Sequence, residues 1–184
     1  MKEPESIHPD WEIVTIRTVN APRAIAYKAW SDPNHLKNWW GPAGFTNTFH
    51  EFEFEVGGKW SFTMHGPEKG NYINSCEFTE IEFPSLIAWK RFSQPLFRVV
   101  VTFEELNPDQ TKVTFRQIFD TAKECNKIKP FVEDKNEENM DKLEMELVRM
   151  INVILHDQRI VICLFNLFCF IPIIKLEILC IIQT

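Results

Sequence analysis

Three side chains that can transfer protons fall in segments predicted to be strands: His50, Tyr72 and Glu80. The alternation of side chains along a strand places His50 on the same face as Phe52 and Phe54, so we expect His50 to point inward. A neutral imidazole inside a cavity can orient a ligand or move a proton. A buried histidine that only satisfies a polar neighbour has the same sequence pattern. No second carboxylate is placed to form an acid/base pair with Glu80, which also fits a strand end near solvent.

The familiar motifs for other chemistry are absent from the sequence. Gly57-Gly58 does not extend into the GxGxxG or Walker pattern that binds nucleotide phosphates. The five histidines show no HExxH or HxH spacing, and there is no GxSxG nucleophile motif. We therefore predict no catalytic residue set, no metal site and no cofactor.

A ligand-binding surface is the stronger candidate for a site. The predicted strands carry large apolar side chains at alternate positions, which places these side chains on one inner face. An apolar pocket and a packed core share this composition, so both interpretations stay open. The candidate ligand-binding residues are His50, Phe52, Phe54, Trp60, Phe62, Met64, Tyr72, Phe78, Trp89 and Phe103.

The composition indicates one globular domain in a reducing compartment. Of the 184 residues, 45% are hydrophobic and 13% aromatic, which is enough for a sizeable core. The formal net charge of −6 argues against nucleic-acid binding, which needs clustered Lys and Arg. Residues 1–10 are polar and lack the apolar stretch of a secretory signal. Cys76 and Cys125 lie far apart and in no CxxC spacing, so we expect structural thiols and a cytoplasmic protein.

The first predicted elements are a strand and two short helices. Residues 11–19 alternate and are rich in β-branched side chains, which favours a strand. Pro22 suits the first position of one helix, and Asp32-Pro33 suits the cap and first position of the next.

Six further strands and a long helix are predicted to follow. Alternating segments between His50 and Phe119 favour the strands. Apolar residues at helical spacing from Met140 to Ile151 favour the helix, and the charged run at 133–138 is predicted to be its solvated start. A sheet with one apolar face needs a cover, which this helix supplies.

Four segments in order carry a resemblance to a known family: Asn20–Trp30, Trp39–Phe45, Val56–Trp60 and Phe78–Ile81, the last followed by Pro84 and Leu86. They resemble the Hsp90-ATPase-activator C-terminal-domain-like proteins, the activator of Hsp90 ATPase homologue 1-like family of the START-like (SRPBCC) superfamily. The resemblance covers roughly residues 11–150. It implies an α+β helix-grip fold, in which a curved antiparallel sheet wraps around a long C-terminal helix and two short helices follow the first strand.

The resemblance also implies a function for a START-like domain over residues 11–155. Such a domain would bind a hydrophobic or amphipathic small molecule between sheet and helix, without catalysis. Cys76 stands where the family often has glycine, which predicts a smaller cavity. One alternative is a co-chaperone-like interaction domain with a chaperone partner. The other is an enzyme of the cyclase or aromatase type, in which His50, Tyr72 and Glu80 would supply the acid/base groups.

Residues 156–184 form an apolar C-terminal extension with no counterpart in the resemblance. Its uncharged run, Ile160–Ile174, is shorter than the roughly 20 apolar residues that a membrane-spanning helix needs. Three interpretations are open. The segment 160–182 is a membrane tail anchor, or the extension is a packed or swapped helix, or it lies outside the selected domain, as a shifted reading frame or an altered stop would produce. Only the first of these predicts a membrane partner.

Overall fold

The computed structural model describes the backbone of residues 9–181 and the side chains of residues 10–156. The chain divides into two units, the first ending at Leu147 and the second beginning at Val148. The side chains from residue 157 onward lie outside the described residues, so the three interpretations of the tail stay predictions. Within the described part of the chain, no helix has both the length and the apolar character needed to cross a bilayer.

The described elements are seven strands and three helices, in the order that the sequence predicts. A short 3-10 turn precedes the first strand. The strands are β1 (Glu12–Val19), β2 (Thr46–Phe52), β3 (Lys59–His65), β4 (Asn71–Glu82), β5 (Leu86–Arg91), β6 (Phe97–Asn107) and β7 (Gln110–Ile118). The helices are α1 (Arg23–Ser31), α2 (Pro33–Trp39) and α3 (Ala122–Ile181), of which residues 122–147 belong to the first unit.

The strands form one curved antiparallel sheet in the order β1-β7-β6-β5-β4-β3-β2. β1 pairs with the last strand, β7, whereas β2 to β6 each pair with the strand that follows them in the chain. The first-unit part of α3 covers the inner face. Its apolar stripe of Met140, Leu143 and Leu147 is 0%, 0% and 2% exposed. The predicted α+β helix-grip class is confirmed.

The two short helices begin with the predicted proline signals. Asp32 caps α2, and its side chain accepts a hydrogen bond from the backbone N–H of Asn34 at 2.9 Å. Pro33 then occupies the first turn, where its missing N–H is not needed. Pro22 is the cap residue of α1 rather than its first helical residue, a difference of one position.

The start of α3 differs from the prediction. The helix begins at Ala122, so the charged run at 133–138 lies inside the helix instead of forming its beginning. Thr121 supplies the cap, because its hydroxyl accepts from the backbone N–H of Glu124 at 3.2 Å and lies 3.2 Å from the Glu124 carboxylate. This is the threonine and glutamate spacing of a capping box. The extra turns bring Asn136, only 7% exposed, against the sheet.

Two β-bulges change which side chains face inward. The register between β2 and β3 shifts between Phe49 and Glu51, and that between β4 and β5 shifts between Phe78 and Glu80. A bulge adds one residue to one strand, so the inward and outward positions exchange beyond it. Strict alternation, which the sequence prediction assumes, therefore fails at these two points.

Candidate functional site

A cavity of about 510 Å³ lies between the inner face of the sheet and the first-unit part of α3. A third wall comes from the segment between α2 and β2. The lining is largely aromatic on the sheet and polar on the helix. From the sheet it comprises Trp60, Phe62, Met64, Tyr72, Asn74, Cys76, Trp89, Arg91, Phe97, Phe115 and Gln117. The remaining lining residues are Trp40, Gly41, Pro42, Phe45, Gln94, Pro95, Phe131, Val132, Lys135, Asn136 and Asn139.

The period of the strands explains the sheet side of this lining. Successive side chains of a strand point to opposite faces, so every second residue of β3 from Trp60 to Met64 reaches the cavity. The same alternation in β5 brings Trp89 and Arg91 inward and leaves Lys90 exposed. Among the lining residues of the sheet, Arg91 is the one charged side chain.

Trp40 adds an aromatic ring that does not belong to the sheet. Its ring centroid lies 5.4 Å from that of Trp60, 5.8 Å from that of Trp89 and 6.0 Å from that of Phe115. Tilted and edge contacts at such distances are favourable, by about 0.5–1.5 kcal/mol per pair beyond burial. Its neighbour Trp39 is 0% exposed and belongs to the core. The paired tryptophans of the sequence thus divide between the core and the cavity.

Lys142 of α3 fastens the wall that precedes β2. Its ammonium group donates to the backbone carbonyl oxygens of Gly41 at 2.8 Å, Phe45 at 3.2 Å and Pro42 at 3.4 Å. Burial lowers the pKa of Lys142 from its ordinary value. Gly41 itself has φ +95°, a left-handed conformation that favours glycine. The wall is therefore held by the left-handed backbone at Gly41 and by one half-buried cation, Lys142.

Polar side chains line the helix side of the cavity. Asn136 Nδ2 donates to Gln117 Oε1 at 2.9 Å. Three further polar atoms of the lining are buried without a hydrogen-bond partner among the described residues: Asn139 Oδ1, Trp40 Nε1 and Trp60 Nε1. Leaving such a group unpaired costs about 1–3 kcal/mol. These three atoms have almost no accessible surface and lie inside the walls, so the polar surface of the cavity comes from other lining side chains such as Asn74 and Arg91.

Arg91 and Cys76 face each other across β4 and β5. Arg91 Nε donates to Ser93 Oγ at 2.9 Å, one Nη donates to the Gln94 carbonyl oxygen at 3.0 Å, and the guanidinium lies 5.2 Å from the Phe97 ring centroid. Burial lowers the pKa of Arg91. Burial also raises the pKa of the Cys76 thiol to about 12, so this thiol stays neutral at physiological pH. The only charged group of this pair is the guanidinium.

The structure brings half of the predicted binding residues to the cavity. Trp60, Phe62, Met64, Tyr72 and Trp89 line it. Phe52, Phe54, Phe78 and Phe103 belong to aromatic clusters elsewhere, with ring distances such as 5.1 Å for Phe54 and Phe78 and 5.3 Å for Tyr27 and Phe103. They are part of the packing that supports the sheet and not of the cavity lining. A ligand-binding role for the other five stays a prediction.

The inward orientation predicted for His50 is wrong. The bulge after Phe49 turns the His50 side chain to the outer face, where it is exposed and its Nε2 lies 2.9 Å from Thr63 Oγ1. Phe49 takes the inward place, with its ring 5.6 Å from that of Trp60. The second bulge has the same effect on Glu80, which is exposed. The structure therefore separates His50 and Glu80 from Tyr72 and does not assemble a proton-transfer group from them.

Several lining residues were not anticipated by the sequence. Arg91 carried a signal, since it lies two positions after the inward Trp89 in the same strand. For Asn136 and Asn139 the sequence signal is indirect. The capping pattern at Thr121 indicates that α3 begins early enough to include both residues. No group of three or more metal-binding side chains occurs among the residues with described side chains.

The comparisons with known proteins support the fold. The family model described as Activator of Hsp90 ATPase homolog 1-like protein matches residues 20–147. No curated protein matches the chain.

Solved bacterial structures share the architecture at low sequence identity. A protein from Nitrosomonas europaea is 16% identical with a TM-score of 0.71, over 78% of this chain and 98% of that one. A protein from Arthrobacter aurescens is 23% identical with a TM-score of 0.71, over 79% of this chain and 90% of that one. The AHSA1 protein from Silicibacter pomeroyi is 17% identical with a TM-score of 0.62, over 76% of this chain and 99% of that one.

Proposed function

Since the chain belongs to the Activator of Hsp90 ATPase homolog 1-like family, with the fold of the START-like proteins, we propose that it binds a small amphipathic molecule in the cavity between the sheet and α3. One observation carries the proposal: a space of about 510 Å³ between the sheet and the helix, lined largely by aromatic side chains. Pockets for small molecules span about 300–1,000 Å³, so this volume suits a ligand of that class.

The character of the walls supports an amphipathic ligand over a purely apolar one. Rings of Trp40, Trp60 and Phe62 offer apolar contact, while Asn74, Arg91 and Gln117 add polar side chains to the same lining. A ligand with an apolar body and a few polar atoms would satisfy both parts of the lining.

Native mass spectrometry of the full chain tests this proposal. The protein is purified without detergent, and its mass under native conditions is compared with the mass after denaturation. We expect an additional mass that is lost on denaturation, or saturable binding of an added uncharged aromatic probe. A bare mass combined with no binding of any such probe to the folded protein contradicts the proposal.

The structure bears differently on the two alternative functions, a co-chaperone-like role and a cyclase or aromatase activity. The co-chaperone-like role rests on family membership alone, and one fold hosts many functions, so it stays a prediction. A pull-down with purified Hsp90 tests it directly. The cyclase or aromatase alternative loses support, because two of its three acid/base candidates, His50 and Glu80, are exposed away from the cavity.

A further inference from the structure

Two arginines of the sheet differ in their counter-charges. Arg17 of β1 meets three carboxylates of α3: Glu137 at 2.7 Å, Asp141 at 2.8 Å and Glu144 at 2.9 Å. Arg91 of β5 is half-buried, and no carboxylate of the described residues lies within 4 Å of it. A cation taken out of water without a counter-charge is costly, so Arg91 departs from the pattern that Arg17 follows.

The charge of the cavity lining has one sign. The lining contains Arg91 and Lys135 and no aspartate or glutamate. Lys135 is exposed and pairs with Glu138, which does not line the cavity. This positive lining belongs to a chain with a formal net charge of −6, so it is not a consequence of the overall composition.

The guanidinium of Arg91 keeps donors for a ligand. A guanidinium carries five N–H groups. Protein acceptors take two of them, Ser93 Oγ and the Gln94 carbonyl oxygen, which leaves three without an acceptor among the described residues. These two acceptors and the Phe97 ring fix the plane of the guanidinium. A fixed arginine fork binds a carboxylate through two parallel hydrogen bonds.

We infer that the cavity binds an amphipathic carboxylate, whose anionic group pairs with Arg91 and whose apolar body lies against Trp40, Trp60 and Phe62. This inference rests on the proposed function and adds the chemical class of the ligand. The carboxylate supplies the counter-charge that Arg91 lacks within the protein. The aromatic rings supply the apolar contact area.

A matched pair of probes tests the charge directly. Biphenyl carboxylate and biphenyl carboxamide, both substituted at the para position, have nearly the same shape and differ in charge. Trp40, Trp60 and Trp89 line the cavity, so quenching of tryptophan fluorescence reports binding of either probe to the full chain. We expect the carboxylate to bind about 10-fold to 100-fold more tightly than the amide, the range for a hydrogen bond to a charged group.

The variant Arg91→Met removes the guanidinium and keeps an apolar stem of similar length. We expect it to lose the preference for the carboxylate, so that the two probes bind this variant with similar affinities. Lys90→Met is the matched control, since it makes the same change of charge on the exposed side of the same strand. This control should keep the preference of the original protein.

The outcomes separate the two proposals. Equal affinity of the original protein for both probes overturns the carboxylate inference and leaves the proposed function standing. Retention of the preference in Arg91→Met also overturns the inference, even if that variant is less stable. Binding of neither probe to the folded protein overturns the inference, and in combination with a bare native mass it overturns the proposed function as well.

Discussion

The ammonium nitrogen of Lys142 lies 2.8 Å from the carbonyl oxygen of Gly41, and this contact joins α3 to a wall of the cavity. Two more carbonyl oxygens of the same wall accept from Lys142. Backbone Ala43 N–H adds a second tie by donating to Glu138 of α3 at 3.0 Å. The shape of the cavity thus depends on contacts between the helix and a segment without regular structure.

Replacing Lys142 with methionine is expected to loosen this wall. The carbonyl oxygens lose a shared charged donor, so the free energy of unfolding should fall by about 1–3 kcal/mol. Affinity for biphenyl carboxamide should fall as well, because the wall becomes less ordered. Urea denaturation and the fluorescence titration measure the two effects. Lys127→Met, at an exposed position of the same helix, is the control; equal stability of the two variants would show that the Lys142 contacts contribute nothing.

Filling the cavity should abolish binding without unfolding the protein. Cys76 is 4% exposed and lines the cavity, so Cys76→Trp places a large ring in the space. We expect the affinity for the uncharged probe to fall by roughly 10-fold or more, since each lost 1.4 kcal/mol of binding energy is tenfold. Ser75→Trp, one residue away and exposed, should bind normally. Undiminished binding by a folded Cys76→Trp variant would place the ligand site elsewhere.

Stability should decrease with rising pH above about 9 because of Cys76. The thiol has its pKa raised from 9.0 to about 12 in the folded protein. Below pH 9.0 the thiol is protonated in both the folded and the unfolded state, so its contribution to the free energy of unfolding is fully present. Above pH 9.0 the thiol of the unfolded chain ionises first, and the free energy of unfolding falls until the pH reaches about 12. The slope is about 1.4 kcal/mol per pH unit.

The variant Cys76→Ala isolates that slope. Cys125 and Tyr27, whose pKa values are also raised by burial, contribute equally to both proteins. The difference in unfolding free energy between the original protein and Cys76→Ala should therefore shrink steadily above pH 9.0. A difference that does not change with pH means that the thiol ionises alike in the folded and unfolded chains.

The two inward arginines should differ in how replacement by methionine changes the free energy of unfolding. Arg17→Met removes a network of three ion pairs, and exposed pairs contribute about 0.2–1 kcal/mol each, so a loss of roughly 1–2 kcal/mol is expected. Salt near 1 M, where the Debye length is about 3 Å, should reduce that loss.

Arg91→Met should keep or raise the stability of the ligand-free protein, because it removes an unpaired charge. Urea denaturation at two salt concentrations compares the variants, and a destabilised Arg91→Met would show that the arginine is structural.

Local sequence patterns determined most of the fold of this protein. Alternation, proline and aspartate signals and the apolar stripe through Leu143 and Leu147 predicted the element order. These signals act within one element, because the period of a strand or helix is a property of its own backbone. The same alternation identified five lining residues on β3, β4 and β5.

Only the tertiary structure decided where that alternation breaks and which charges meet. The bulges beside His50 and Glu80 exist because a neighbouring strand sets the register, and no local pattern marks them. Arg17 finds Glu137 across 120 residues of chain, whereas Arg91 finds no carboxylate among the described residues. Whether an arginine meets a counter-charge depends on which elements the fold packs together. The packing of β1 against α3 gives Arg17 its carboxylates, whereas Arg91 faces the cavity.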